Sequence, residues 1–152
     1  MHNYQLLTAS GLHFNDAHEA LVHIGETLVQ AGICRESYPA ALRAREAAYP
    51  TGIALDGHCV AIPHCDASHA LKPALYLIRP RQPVPFAQAD EDIQIGAELI
   101  IALVVTHPQE QLNLLRTLFG LLQQPDVIDS LLTVPDAGLA TCLRQRLLAP
   151  AT

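Results

Sequence analysis

The run A-E-L-I-I-A-L-V-V from Ala97 to Val105 places the strongest constraint on what this chain can fold into. A strand with one face in water alternates apolar and polar residues. This run hardly alternates, so it predicts a central strand covered on both faces. Its most apolar part, Leu99 to Val105, is far too short to cross a bilayer. The chain has apolar residues enough to cover such a strand: half of its 152 residues are apolar and 16% are charged. That composition suits a packed fold and not a disordered chain.

The rest of the sequence intermixes helix and strand signals. After a strand or irregular lead-in to about Phe14, Asp16 reads as an N-cap with Glu19 as its capping-box partner. Ala17, Ala20, Leu21, Ile24, Leu28 and Ala31 follow at helical spacing, and Gly32 supplies the stop. A second helix begins at Ser37, carries Pro39 in its first turn and ends before Pro50. Gly52 to Leu55 and His58 to Ile62 read as strands joined by Asp56-Gly57, a hairpin-turn dipeptide. Ala74 to Ile78 is a further strand, and Arg79 to Pro85, with three prolines, a connection or edge segment. Thr106 and Gln109 fit a capping box ahead of a helix whose Leu112, Leu115, Phe119 and Leu122 form a core stripe. Two shorter helices close the chain, one from Pro125-Asp126 and one from about Asp136 to Leu148. The expectation is α/β, a helix-covered sheet in a single domain over residues 1–152, without repeats or linkers.

The net charge is −6 and the basic residues are scattered singly, which argues against a nucleic-acid surface. The N-terminus M-H-N-Y-Q-L-L-T lacks the basic and apolar regions of a signal peptide, so a cytoplasmic protein is expected. Four cysteines without paired C-x-x-C spacing argue against a disulfide framework there.

The chemistry concentrates between Ala44 and His69, A-R-E-A-A-Y-P-T-G-I-A-L-D-G-H-C-V-A-I-P-H-C-D-A-S-H. Pro63 cuts off the Val60-Ala61-Ile62 strand and leaves His64 just beyond its end, where α/β proteins usually keep their working residues. His64 could equally be a polar residue closing a strand. His58, Cys59, His64, Cys65, Asp66 and His69 are all metal-ligand types, but residues 58 and 59 face opposite sides of a strand and no paired spacing appears. Cys65 could act as a nucleophile beside His64, although sequence neighbours seldom meet in the geometry that pair needs. Arg45 could be a solvated helix residue or the planar donor fork of an anion site. His13, His18, His23 and His107 read as solvated surface residues, and Cys34 and Cys142 as small core residues.

The block A-R-E-A-A-Y-P-T-G-I-A-L followed by V-A-I-P-H-C-D resembles the active-site block of the enzyme IIA components of the bacterial phosphotransferase system, fructose/mannitol type. The likeness extends along almost the whole chain. Within the family the galactitol-specific branch is the most similar, through A-I-P-H-C, L-I-R-P at Leu77 to Pro80, Q-A-D at Gln88 to Asp90 and Q-L-x-L-L-R at Gln111 to Arg116. The resemblance implies a mixed sheet of about five strands with helices on both faces, and a phosphocarrier without metal or organic cofactor. His64 would accept a phosphoryl group from phospho-HPr and pass it to a cysteine of the IIB component during alditol uptake. The membrane IIC component would take part only indirectly, with no membrane insertion of this chain. Arg45 matches the family arginine near the phosphohistidine and would neutralise phosphoryl oxygens. Gln111 stands where many members carry a second histidine; its amide can donate a hydrogen bond but cannot become cationic. Cys65 replaces a common glycine. Two other functions remain open on the same residues: a regulatory IIA-like protein whose His64 phosphorylation controls a partner, and a metal-binding module.

Overall fold

In a computed structural model, residues 4–89 and 92–148 are described. Met1 to Asn3 of the N-terminal reading and Asp90 of the Q-A-D likeness lie outside them. Among the described residues seven strands occur, in the order β1 (Gln5–Ser10), β2 (Gly52–Ala54), β3 (Cys59–Ala61), β4 (Ala74–Arg79), β5 (Val84–Ala87), β6 (Gln94–Ala97) and β7 (Leu99–Val104). The helices are α1 (Ala17–Gln30), α2 (Tyr38–Ala48), α3 (Pro108–Leu122), α4 (Pro125–Thr133) and α5 (Leu139–Leu143).

The main sheet has the order β1-β4-β7-β3-β2 and is mixed: β1 runs parallel to β4 and β3 to β7, while β4–β7 and β2–β3 are antiparallel. The all-apolar run therefore sits at the centre, as its lack of alternation requires. Leu99, Ile101 and Leu103 point to one face, with Leu75 and Leu77 of β4, and pack under α3, α4 and α5. Ile100, Ala102 and Val104 point to the other, with Tyr76 and Ile78, under α1, α2 and the β5–β6 pair. The period-2 geometry of a strand splits one apolar run into two cores.

Local chemistry explains the element ends. Asp16 caps α1 by accepting the Glu19 N–H at 3.0 Å, and Gly32 follows at φ +75°. The Glu19 carboxylate accepts from the Asn15 N–H at 2.8 Å, one residue earlier than a capping box would have it. α2 starts and stops where its prolines predict. The β2–β3 hairpin turns at Gly57, which takes φ +80°. At β4's end Arg79 donates to the carbonyls of Leu131 (3.2 Å) and Val134 (2.5 Å), tying the end of α4 to the sheet.

Several sequence expectations are corrected. Of the two readings of Arg79 to Pro85, the edge segment holds for Val84 and Pro85, which open β5 of a two-stranded sheet, while Arg79 still belongs to β4. The cap of α3 is His107, which makes no side-chain capping bond; Pro108 at the first helical position starts the helix instead of a Thr106/Gln109 box. The buried stripe of α3 is Leu114, Leu118 and Leu122, whereas Leu112 and Phe119 are exposed. His23 is half-buried, not solvated: its Nε2 lies 2.6 Å from the Tyr76 hydroxyl across the α1–sheet interface. The closing segment is a 3₁₀ turn (Asp136–Gly138), then α5, then a π-helical turn (Arg144–Leu148), not one regular helix. No described helix is long and apolar enough to cross a membrane.

Candidate functional site

His64 follows β3 and Pro63, which ends the strand by its fixed φ and missing N–H. The peptide before it is clamped from two sides. The Ile62 N–H donates to the Thr51 carbonyl at 3.3 Å, and the Pro63 carbonyl accepts from the Leu103 N–H at 3.1 Å. The Ile62 carbonyl is left facing the imidazole, and His64 Nδ1 lies 2.8 Å from it. A carbonyl can only accept, so Nδ1 carries the proton. In the neutral ring Nε2 then holds a free lone pair.

Only 7% of His64 is accessible. It lies in a depression of about 390 Å³ whose wall includes Arg45, Tyr49, Ile53, Ile62, Leu115 and Phe119. Burial lowers the His64 pKa and the positive charge of Arg45 lowers it further, against the opposing pull of the Ile62 carbonyl. Near neutrality the site thus holds a desolvated neutral imidazole with an unprotonated Nε2. Such a nitrogen is a nucleophile.

Arg45 stands in the last turn of α2, as its sequence position predicts, and shares the depression with His64. Its Nη1 donates to the Tyr49 carbonyl at 3.4 Å, and the guanidinium lies over the Tyr49 ring. Gln111 occupies the first turn of α3, one turn before Leu115, and is not among the residues lining the depression. Cys65 is buried, and burial pushes its thiol up to about 12, so it carries no thiolate. Cys34 is buried too, and Cys142 packs against the core.

Three of the clustered metal-ligand types are engaged elsewhere. His58 Nδ1 lies 3.1 Å from Glu98 and its Nε2 3.4 Å from Asp129; His69 Nδ1 pairs with the Ser37 hydroxyl at 2.8 Å; Asp66 accepts from the Ser68 N–H at 3.2 Å. Among the described residues no group of three His, Cys, Asp or Glu side chains is placed to hold a metal ion.

Two features escaped the sequence reading. Glu46 is 7% accessible, and its carboxylate accepts both the Thr51 N–H at 2.7 Å and the Thr51 hydroxyl at 2.8 Å. The R-E and P-T-G spacing was the available signal, since a glutamate five residues before a threonine can close the turn between them. The second is the identity of the apolar rim: a ring of apolar residues around the histidine is expected, but its α3 members read as core in the sequence. α3 carries Leu112, Leu115 and Phe119 beside its buried stripe, more apolar surface than one core face needs.

Residues 4–138 match the family described as the phosphoenolpyruvate-dependent sugar phosphotransferase system, EIIA 2. The galactitol-specific EIIA component of the PTS system from Escherichia coli K12 is 50% identical over 134 residues, 88% of this chain and 89% of that protein. Two solved structures are alike in fold. The enzyme IIA of mannitol from Escherichia coli, solved in complex with phosphorylated enzyme IIB, gives a TM-score of 0.72 at 24% identity, covering 91% of this chain and 94% of that one. The nitrogen regulatory protein IIA-Ntr from Neisseria meningitidis gives 0.68 at 25% identity, covering 90% and 92%. With a family match over residues 4–138 and half of 134 aligned residues shared with a galactitol component, the chain belongs to the EIIA type 2 family of the phosphoenolpyruvate-dependent sugar phosphotransferase system.

Proposed function

We propose that this protein is the phosphocarrier of a galactitol-type sugar phosphotransferase system, and that His64 carries the phosphoryl group between phospho-HPr and a cysteine of the IIB component. The observation that carries the reading is the 2.8 Å contact between His64 Nδ1 and the Ile62 carbonyl, which leaves Nε2 as a lone-pair donor beside Arg45. The 50% identity to a galactitol-specific component supports the choice of system.

In the first step the Nε2 lone pair forms the new P–N bond while the bond from phosphorus to the HPr imidazole breaks, its electron pair remaining on the donor nitrogen. The ring keeps its Nδ1 proton, and the positive charge that develops is shared with the Ile62 carbonyl. In the second step the IIB thiolate forms a P–S bond and the electron pair returns to Nε2. Neither step asks for covalent help from other side chains; positioning and charge stabilisation suffice. Arg45 supplies the charge, with a guanidinium suited to two phosphoryl oxygens. A partner's apolar contact surface meets Tyr49, Leu115 and Phe119 around the histidine and excludes water during transfer.

The test is phosphorylation of the purified protein by phosphoenolpyruvate, enzyme I and HPr, read by intact mass, with His64→Ala in parallel. One acid-labile phosphoryl group, absent in the variant and discharged by a galactitol IIB, is expected. A wild type that stays unmodified would sink the reading. Uptake without discharge to any IIB would turn it toward a regulatory protein.

A further inference from the structure

We propose that Glu46 is a positioning residue for His64, acting through Thr51 and Ile62. Its carboxylate receives both donors of Thr51, at 2.7 and 2.8 Å; the Thr51 carbonyl accepts the Ile62 N–H at 3.3 Å; the Ile62 carbonyl meets His64 Nδ1 at 2.8 Å. Three residues thus connect the end of α2 to the imidazole by an unbroken series of hydrogen bonds.

A buried carboxylate is expensive to keep. Glu46 makes no ion pair among the described residues, and the guanidinium of neighbouring Arg45 lies over Tyr49 instead. Its two oxygens are spent on one residue. That residue is the one that faces Ile62 at the end of the β2–β3 ladder, just beyond the Gly52–Ala61 pair. If Thr51 turned, the Ile62 peptide would lose the bond that sets its orientation, and its carbonyl would no longer aim at Nδ1. The ring would then be free to carry its proton on Nε2, where the lone pair is needed. A residue that holds the backbone of a histidine's acceptor selects the histidine's tautomer, as outer-shell partners do for metal-bound imidazoles.

The inference rests on the reading of His64 as the phosphoryl acceptor only for its effect on rate. The ring itself can be observed without any phosphoryl donor. The experiment is ¹⁵N NMR of histidine-labelled protein, unphosphorylated and near neutral pH, for wild type, Glu46→Ala, Glu46→Gln and Thr51→Val, with uptake from phospho-HPr measured alongside. Gln keeps both contacts, its carbonyl accepting the Thr51 N–H and its amide donating to the Thr51 hydroxyl. Wild type and Glu46→Gln are expected to hold the proton on Nδ1. Glu46→Ala is expected to give a mixture of tautomers and uptake slower by about tenfold or more, in line with the cost of small misplacements of reacting groups. Thr51→Val, which loses the hydroxyl contact but keeps the Thr51 N–H contact to Glu46, is expected to shift both in the same direction by less. Should Glu46→Ala fail to fold, Thr51→Val carries the test. An Nδ1 proton retained in the folded variants, with only thermal stability lowered, would overturn the proposal and make Glu46 a brace for the loop. A wild type that takes up no phosphoryl group would fail the functional reading, and the tautomers would still decide the role of Glu46.

Discussion

The guanidinium carbon of Arg45 lies 4.7 Å from the centroid of the Tyr49 ring, four residues further along at the end of α2. The stack holds the cation at the rim of the depression that contains His64, with a single 3.4 Å bond to the Tyr49 carbonyl. Most of its five donors are therefore left for a phosphoryl group in the proposed transfer. A hydrogen bond to a charged group contributes about 1.5–3 kcal/mol, so Arg45→Ala is expected to slow phosphoryl transfer by roughly ten- to a hundredfold. Its thermal midpoint should stay within about a degree of wild type, because the side chain supports little packing. Arg45→Lys should recover only part of the rate, since an ammonium cannot offer the planar fork. Stopped-flow or quench-flow uptake from phospho-HPr would decide it, and unchanged kinetics in Arg45→Ala would remove the residue from the site.

The buried histidine also sets a pH dependence. Burial lowers its pKa below the ordinary 6.5 in the folded protein, so the unfolded chain binds this proton more readily. Stability must then rise with pH across the interval between the depressed value and 6.5, and the His64 contribution is level above it. His23, also lowered by burial, gives a slope of the same sign. Denaturant midpoints for wild type and His64→Asn, measured from about pH 5 to about pH 8, should therefore converge in slope at the upper end and separate at the lower. Parallel curves throughout would contradict a desolvated His64. Phosphoryl uptake should likewise stay at its plateau through pH 6.5 and fall only below it.

The central strand, the hairpin at Asp56-Gly57, the ends of α1 and α2 and the placing of His64 after a strand were legible because each follows from a local rule: alternation, turn chemistry, capping or proline. The end of α2 put Arg45 close in sequence to the loop before His64, but only the family resemblance set it beside the histidine. What could not be read was set by non-local partners. Period counting on α3 admits two apolar stripes, and only the docked sheet reveals that Leu114, Leu118 and Leu122 are the buried one. His23 reads as a surface residue until Tyr76, fifty-three residues away, comes within 2.6 Å. The β5–β6 pair was hidden by prolines that edge strands tolerate, as Pro85 does here. Glu46 was quoted within a motif but left without a role, because its importance lies in which backbone its partner holds.

The two stripes of α3 give opposite expectations for neighbouring residues. Leu118 is fully buried against the sheet, and Leu118→Ala should cost about 2–5 kcal/mol of unfolding free energy. Phe119, one residue on, is 42% accessible at the rim of the depression. Phe119→Ala should leave stability within about 1 kcal/mol while weakening the apparent affinity for phospho-HPr or IIB, as loss of an aromatic contact at an interface centre does. Urea unfolding and the concentration dependence of transfer separate the two effects. A large loss of stability in Phe119→Ala, or none in Leu118→Ala, would show the assignment of faces to be wrong.

Gly52 is the one glycine of the P-T-G motif, and close approach explains it. A Cβ at this position would sit 2.5 Å from the Ala87 carbonyl oxygen and 3.1 Å from Ile95 Cγ1. The contact exists because β2 lies directly against the small sheet: the Ala89 N–H donates to the Gly52 carbonyl at 2.9 Å, and Gly52 forms a bridge with Gln88. The obstacle is backbone, which cannot swing aside like a flexible side chain. Gly52→Ala must therefore push β2 away from β5–β6, and Thr51, the neighbouring residue, moves with it. The expected result is a loss of about 1–3 kcal/mol from overpacking, together with slower phosphoryl uptake in the fraction that remains folded, since Thr51 holds the Ile62 peptide. A Gly52→Ala protein with full stability would mean that the two sheets slide apart without strain. One with lowered stability but undiminished uptake would mean that the strain is absorbed on the Ala87 side and never reaches His64.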